Sequence, residues 1–133
     1  MFSPSMFKAR FTLMFVLIAA LMVVAQPRCT WACSCIAPGT PEEELDRSVA
    51  VFSGRVESIQ PQAGGIAGQV RVTLAVSDVW KGDAPATTVV ETTSDSASCG
   101  FNFEEGQEYL VYANAGEGGL LSVTLCSRTQ LLA

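Results

Sequence analysis

The 133-residue chain contains no histidine. That absence excludes a self-contained zinc hydrolase, a Ser-His-Asp triad and a Cys-His pair in their usual forms. Basic residues are also scarce, eight against 13 acidic ones. Phosphate backbones and anionic membranes are held by Lys and Arg that displace counterions, so neither is an expected partner. Aromatic residues make up 8% of the chain, and few fall on candidate strands, which leaves little platform for stacking nucleic-acid bases. No internal repeat, charge run or low-complexity linker occurs. The acids of Glu42 to Asp46 read as a solvated helix face and Glu104-Glu105 as a turn. No nucleophile has a base available without histidine, and no enzyme activity is expected.

What the chain does carry begins at its N-terminus. Met1 to Arg10 holds Lys8 and Arg10 and no acid, and Phe11 to Ala25 is an uncharged, largely apolar run. A basic region, an apolar region of this length and a small-residue cleavage site make a secretory signal. A membrane span needs roughly 20 apolar residues, and this run ends at Gln26, Pro27 and Arg28. Two cleavage sites compete, after Ala25 and after Ala32. Cysteine count favours the second. The five cysteines are Cys29, Cys33, Cys35, Cys99 and Cys126, and cutting after Ala32 discards Cys29 and leaves four that can all pair. No lipid anchor is expected, because no lipoprotein box precedes Cys29 or Cys33.

The expectation is therefore a signal peptide at 1–32 and a secreted domain at 33–133. Removing Lys8, Arg10 and Arg28 leaves five basic residues against 13 acidic ones, a net charge of −8. Within this domain Thr40-Pro41-Glu42-Glu43 has capping-box spacing, and predicts a turn or two of helix over Glu43 to Arg47. Strands are expected at Ala50 to Ile59, Val70 to Ser77, Thr87 to Thr93, Glu108 to Ala113 and Leu120 to Cys126. Gly54 marks a bend and Asp78 a bulge. Pro61 to Gly68 and Gly116 to Gly119 are turns, and Ser94 to Ser98 is a loop. Phe101 and Phe103 are expected to cover an open end, and Trp80 and Tyr112 to serve as core or rim packing. Five short alternating strands read as a small all-β barrel or sandwich.

Cys33 and Cys35 are two apart, so in extended backbone their sulfurs share a side and each pairs with a distant cysteine. Two arrangements remain open: Cys33–Cys99 with Cys35–Cys126, or the crossed pair. Plain stapling of a small secreted domain accounts for the cysteines as such. A four-cysteine zinc site is disfavoured by an oxidising compartment and by the Cys-x-Cys spacing. Stapling does not account for a bridge at the first residue after the cut. There, the α-amine and carbonyl of Cys33 form a bidentate chelator. An α-amine has a reference pKa of about 7.7–8.0, so a useful fraction is neutral near pH 7. Such a chelator can displace water from the open zinc position of a protease.

These features resemble the inhibitory N-terminal domain of the tissue inhibitors of metalloproteinases, in the netrin-like group. The residues that carry the resemblance are Cys33-Ser34-Cys35, Val49 to Val56, Trp80-Lys81-Gly82, Cys99-Gly100, Glu108 to Tyr112 and Gly118 to Cys126. The resemblance implies an OB-fold, a disulfide-stapled five-stranded Greek-key barrel with a short helix near its N-terminus. It also implies the pairing Cys33–Cys99 and Cys35–Cys126. Cys33 would chelate the partner protease's zinc in trans, and Ser34 would enter the specificity pocket. Ser96, Ala97 and Ser98, tied to Cys33 through Cys99, would complete the inhibitory ridge with Cys35. No cysteine lies between Cys35 and Cys99, so the family's third bridge has no counterpart. The reading needs no cofactor of its own and expects a monomer whose partner is a zinc metalloendopeptidase. The alternative is a secreted netrin-like module that binds a protein or glycan, with purely structural disulfides.

Overall fold

A computed structural model describes residues 4–24, 33–63 and 68–132. The chain divides into two compact units, 1–30 and 31–133. In the first, helix α1 spans Pro4–Val24, and Phe11, Phe15, Leu17 and Leu21 are exposed. Among the described residues no helix is long and apolar enough to cross a membrane. The expected cuts after Ala25 and Ala32, and Cys29, lie outside the described residues.

The second unit is mostly β. Helix α2 spans Pro41–Arg47, and six strands follow: β1 Ala50–Pro61, β2 Gln69–Lys81, β3 Thr87–Thr93, β4 Glu108–Ala115, β5 Leu121–Ser122 and β6 Gln130–Leu131. They form one six-stranded sheet in which β1 pairs with both β2 and β4. The pairings β1–β2, β2–β3, β3–β5, β5–β4 and β4–β1 close a ring of five strands, with β3–β5 the one parallel contact. β6 lies along β4 outside that ring.

Alternation along β2 sets the core. Val72 and Leu74 are fully buried with Ala50, Phe52, Val56, Val90, Val111 and Val123. β1 is buried from Ala50 to Gly54 without alternation, because its outer face is covered too. Val51 lines a hollow with Leu45 of α2 and Tyr112 of β4. At Gly54 a Cβ would approach the Ala75 carbonyl oxygen to 2.9 Å, the close backbone approach that a glycine within a strand allows. The register skips a residue beside it, from Ser53–Asp78 to Gly54–Val76. The bulge thus falls on Ser77, one position before the expected Asp78. Further shifts leave Trp80 and Glu57 unopposed.

α2 begins at Pro41 rather than Glu43. Thr40 Oγ1 accepts from Glu43 N at 3.3 Å, and Glu43 Oε2 accepts from Thr40 N at 2.9 Å, the two halves of a capping box. At the other end Lys81 Nζ donates to the Leu45 and Asp46 carbonyls, both at 2.8 Å. Phe101, Phe103 and Tyr109 form a tilted and edge-on aromatic cluster with ring centroids 4.7–5.8 Å apart. Tyr112 is buried, whereas Trp80 is 57% exposed.

One expected strand is corrected. Leu120 to Cys126 contracts to Leu121–Ser122 plus a single bridge between Gly100 and Thr124. Val123 N still donates to Glu91 O, but Leu125 N donates to Cys99 O and Ser127 N turns back onto Thr124 O. Leu125 therefore leaves the core face on which Val123 is buried. The short strand β6 was not foreseen. It is placed by long-range bonds, among them one in which Tyr112 N donates to Thr129 Oγ1.

Candidate functional site

Cys99 is the hub around which the candidate residues gather. Its carbonyl accepts from Leu125 N at 2.8 Å. The turn before it, Ser96–Ser98, is a single 3-10 turn capped by Asp95. Asp95 Oδ1 accepts from Ser98 N at 2.9 Å and Oδ2 from Ser98 Oγ at 3.0 Å. Thr93 Oγ1 donates to Ser98 O at 3.1 Å, so the turn is lashed to the end of β3. Gly100 follows because a side chain there would run into the Thr93 backbone. Ser96, Ala97 and Ser98 all remain exposed.

Onto this hub the segment after residue 32 is bonded. Cys33 is joined to Cys99 and Cys35 to Cys126, with Cα–Cα distances of 5.1 and 5.2 Å. This is the uncrossed arrangement. All four sulfurs are consumed in bridges, so the convergence of Cys33, Cys99 and Cys126 offers no thiolate to a metal. A third tie lies a few residues on, where Arg128 Nη1 donates to Gly39 O at 2.7 Å. Between these ties Ser34, Cys35, Ile36, Ala37 and Pro38 are exposed. A short strip without regular secondary structure is thus held at both ends, with Ser34, Ile36, Ala37 and Pro38 exposed.

No family model and no curated protein sequence matches this chain. The geometry, together with the motifs, is what bears on function.

All six expected ridge residues lie in this one region: Cys33, Ser34 and Cys35 on the strip, Ser96, Ala97 and Ser98 on the turn that the Cys33–Cys99 bridge attaches to it. Sequence reasoning missed Ile36. It is 91% exposed, an aliphatic side chain with no partner face, in a strip whose neighbours are small or polar. The signal was an isolated Ile between a cysteine and Ala37-Pro38, outside any periodic pattern. Arg128 was missed as well, because its bond to Gly39 spans 89 residues. A polar hollow of about 440 Å³ adjoins Ser98 and Cys99, with Glu91, Thr93, Glu117 and Thr124 on its walls. Glu91 is buried there and pairs with Arg71 Nε at 3.5 Å.

Proposed function

We propose that residues 33–133 are the exported form of the protein, an OB-fold Greek-key barrel that inhibits zinc metalloendopeptidases. The five-strand ring, with β6 outside it, is compatible with such a barrel. The observation that carries the reading is the strip itself: an exposed Ser34 between two half-cystines, each bridged to the sheet, beside an exposed turn.

After cleavage at Ala32, the amine nitrogen and carbonyl oxygen of Cys33 close a five-membered chelate on the protease's zinc and displace its water. The amine binds as the neutral form, and the metal favours that form. Ser34 enters the pocket beside the metal, and Ile36 adds apolar contact. Holding the strip rigid before binding removes the ordering cost a free terminus would incur. Nothing in this scheme is turned over, so the protein acts as an inhibitor and not as an enzyme. It needs no cofactor, works as a secreted monomer, and uses neither a membrane nor a nucleic acid.

A second reading, the netrin-like module that binds a protein or glycan, is favoured by one observation. The exposed Trp80 flanks an apolar hollow of about 260 Å³ walled by Pro41, Leu45, Val51, Leu110 and Tyr112, none of them ridge residues.

The test is titration of a panel of zinc endopeptidases with protein beginning at Cys33, beside the same protein acetylated at its amine. Inhibition by the first and none by the second is expected. Equal behaviour of the two would contradict the chelation mechanism.

A further inference from the structure

The two bridges are not independent of each other. Cys33 Sγ lies 3.8 Å from Cys126 Sγ, although these sulfurs belong to different disulfides. Neither carries a hydrogen, so this is van der Waals contact between bridges and not a hydrogen bond. The sulfurs of Cys33, Cys99 and Cys126 lie within 4.8 Å of one another. Access is uneven: Cys35 is exposed, while Cys33, Cys99 and Cys126 are half-buried. Cys99 is also the one non-glycine residue among those described with positive φ, 61°, a left-handed conformation that side chains disfavour.

We propose that this sulfur cluster is a thiol-exchange site for low-molecular-weight monothiols, and that attack there re-pairs Cys33 from Cys99 to Cys126. The incoming thiolate attacks the Sγ of Cys35, the most exposed of the four bridged residues. A mixed disulfide forms on Cys35, the Cys35–Cys126 bond breaks, and Cys126 departs as a thiolate. That thiolate starts 3.8 Å from Cys33 Sγ, and once released it turns about its Cα–Cβ bond into line with the Cys33–Cys99 bond and attacks Cys33 Sγ. The Cys33–Cys126 bond forms, the Cys33–Cys99 bond breaks, and Cys99 leaves as a thiolate that takes up the proton given up by the monothiol. One thiol enters and one thiol is left, so no outside oxidant or reductant is consumed.

Which sulfur is attacked, and how well it can be reached, governs such exchange. Contact between the bridges makes the second step intramolecular, at an effective concentration far above that of any free thiol. Departure of Cys99 also frees its left-handed backbone. The exchange unhooks the Ser96–Ser98 turn from Cys33, which on the inhibitory reading takes the ridge apart. The chemistry itself does not depend on that reading.

Cys35→Ser in the full chain, with Cys29→Ser to remove the fifth cysteine, leaves a Cys126 thiol beside the Cys33–Cys99 bridge. After equilibration at mildly alkaline pH, free thiols are alkylated and the protein is cut with trypsin and a glutamyl endopeptidase. Glu104, Glu105, Glu108 and Glu117 lie between Cys99 and Cys126, so the two are read separately by mass. The expected result is alkylated Cys99, with a Cys33–Cys126 peptide, in about 10% or more of the molecules. Alkylation on Cys126 alone would overturn the proposal. A second sample keeps Cys35, carries only Cys29→Ser, and is treated with glutathione. Here a glutathione adduct on Cys35 is expected together with alkylated Cys99. The same adduct with alkylation at Cys126 instead would also overturn it. Neither readout involves a protease, so failure here and failure of the inhibitory reading are distinguishable.

Discussion

Ile36 is the residue on which folding and function separate most cleanly. At 91% exposure it contributes almost nothing to the core, so its substitution cannot act through stability. On a protease it would bury apolar area that is otherwise in water. Burying a side chain of this size is worth about 1.5–3 kcal/mol, or tenfold and more in affinity. Ile36→Glu is therefore expected to weaken inhibition at least about tenfold while leaving the thermal midpoint where it was. An unchanged inhibition constant would remove Ile36 from the interface. The bridged cysteines could be read from the sequence because their spacing has chemical meaning. Ile36 could not, since exposure of a single aliphatic residue depends on what fails to pack against it.

At the scale of elements, the turn that flanks the strip is capped by one side chain, Asp95. Both carboxylate oxygens of Asp95 accept bonds from Ser98, within the turn that ends at Cys99. Asp95→Ala is expected to cost about 1 kcal/mol, the usual loss for such a cap, as read by urea unfolding. It should also weaken inhibition, because the turn no longer holds its place beside Cys33; an inhibition constant that does not move would put the turn outside the contact. The longer strands were legible for a local reason. β2 repeats Val70, Val72, Leu74 and Val76 on one face, and that period needs no partner to be recognised. β5 and β6 were not legible in the same way. Where β5 ends is decided by Leu125 N reaching Cys99 O and by Ser127 folding back on Thr124, and β6 is two residues long with no period at all. The bulge at Ser77 was visible as a break of phase, but its position was set by Gly54 on the neighbouring strand.

At the largest scale, the ring of five strands in residues 31–133 supplies the body to which the two bridges attach the strip that begins at Cys33. The bridges span 66 and 91 residues, and loops of that length correspond to about 4 kcal/mol each in the chain-entropy model. That contribution goes to the part of the chain that presents the proposed chelator. The net charge of −8 for residues 33–133 opposes association with polyanions on electrostatic grounds. All of this serves inhibition only if the nitrogen of Cys33 is an amine and not an amide. The intact mass of the exported protein decides that point. The account predicts the mass of residues 33–133 with all four remaining cysteines oxidised into two bridges. A mass that begins at Gln26 and retains Cys29 would contradict it, because Cys33 would then have no free amine to offer.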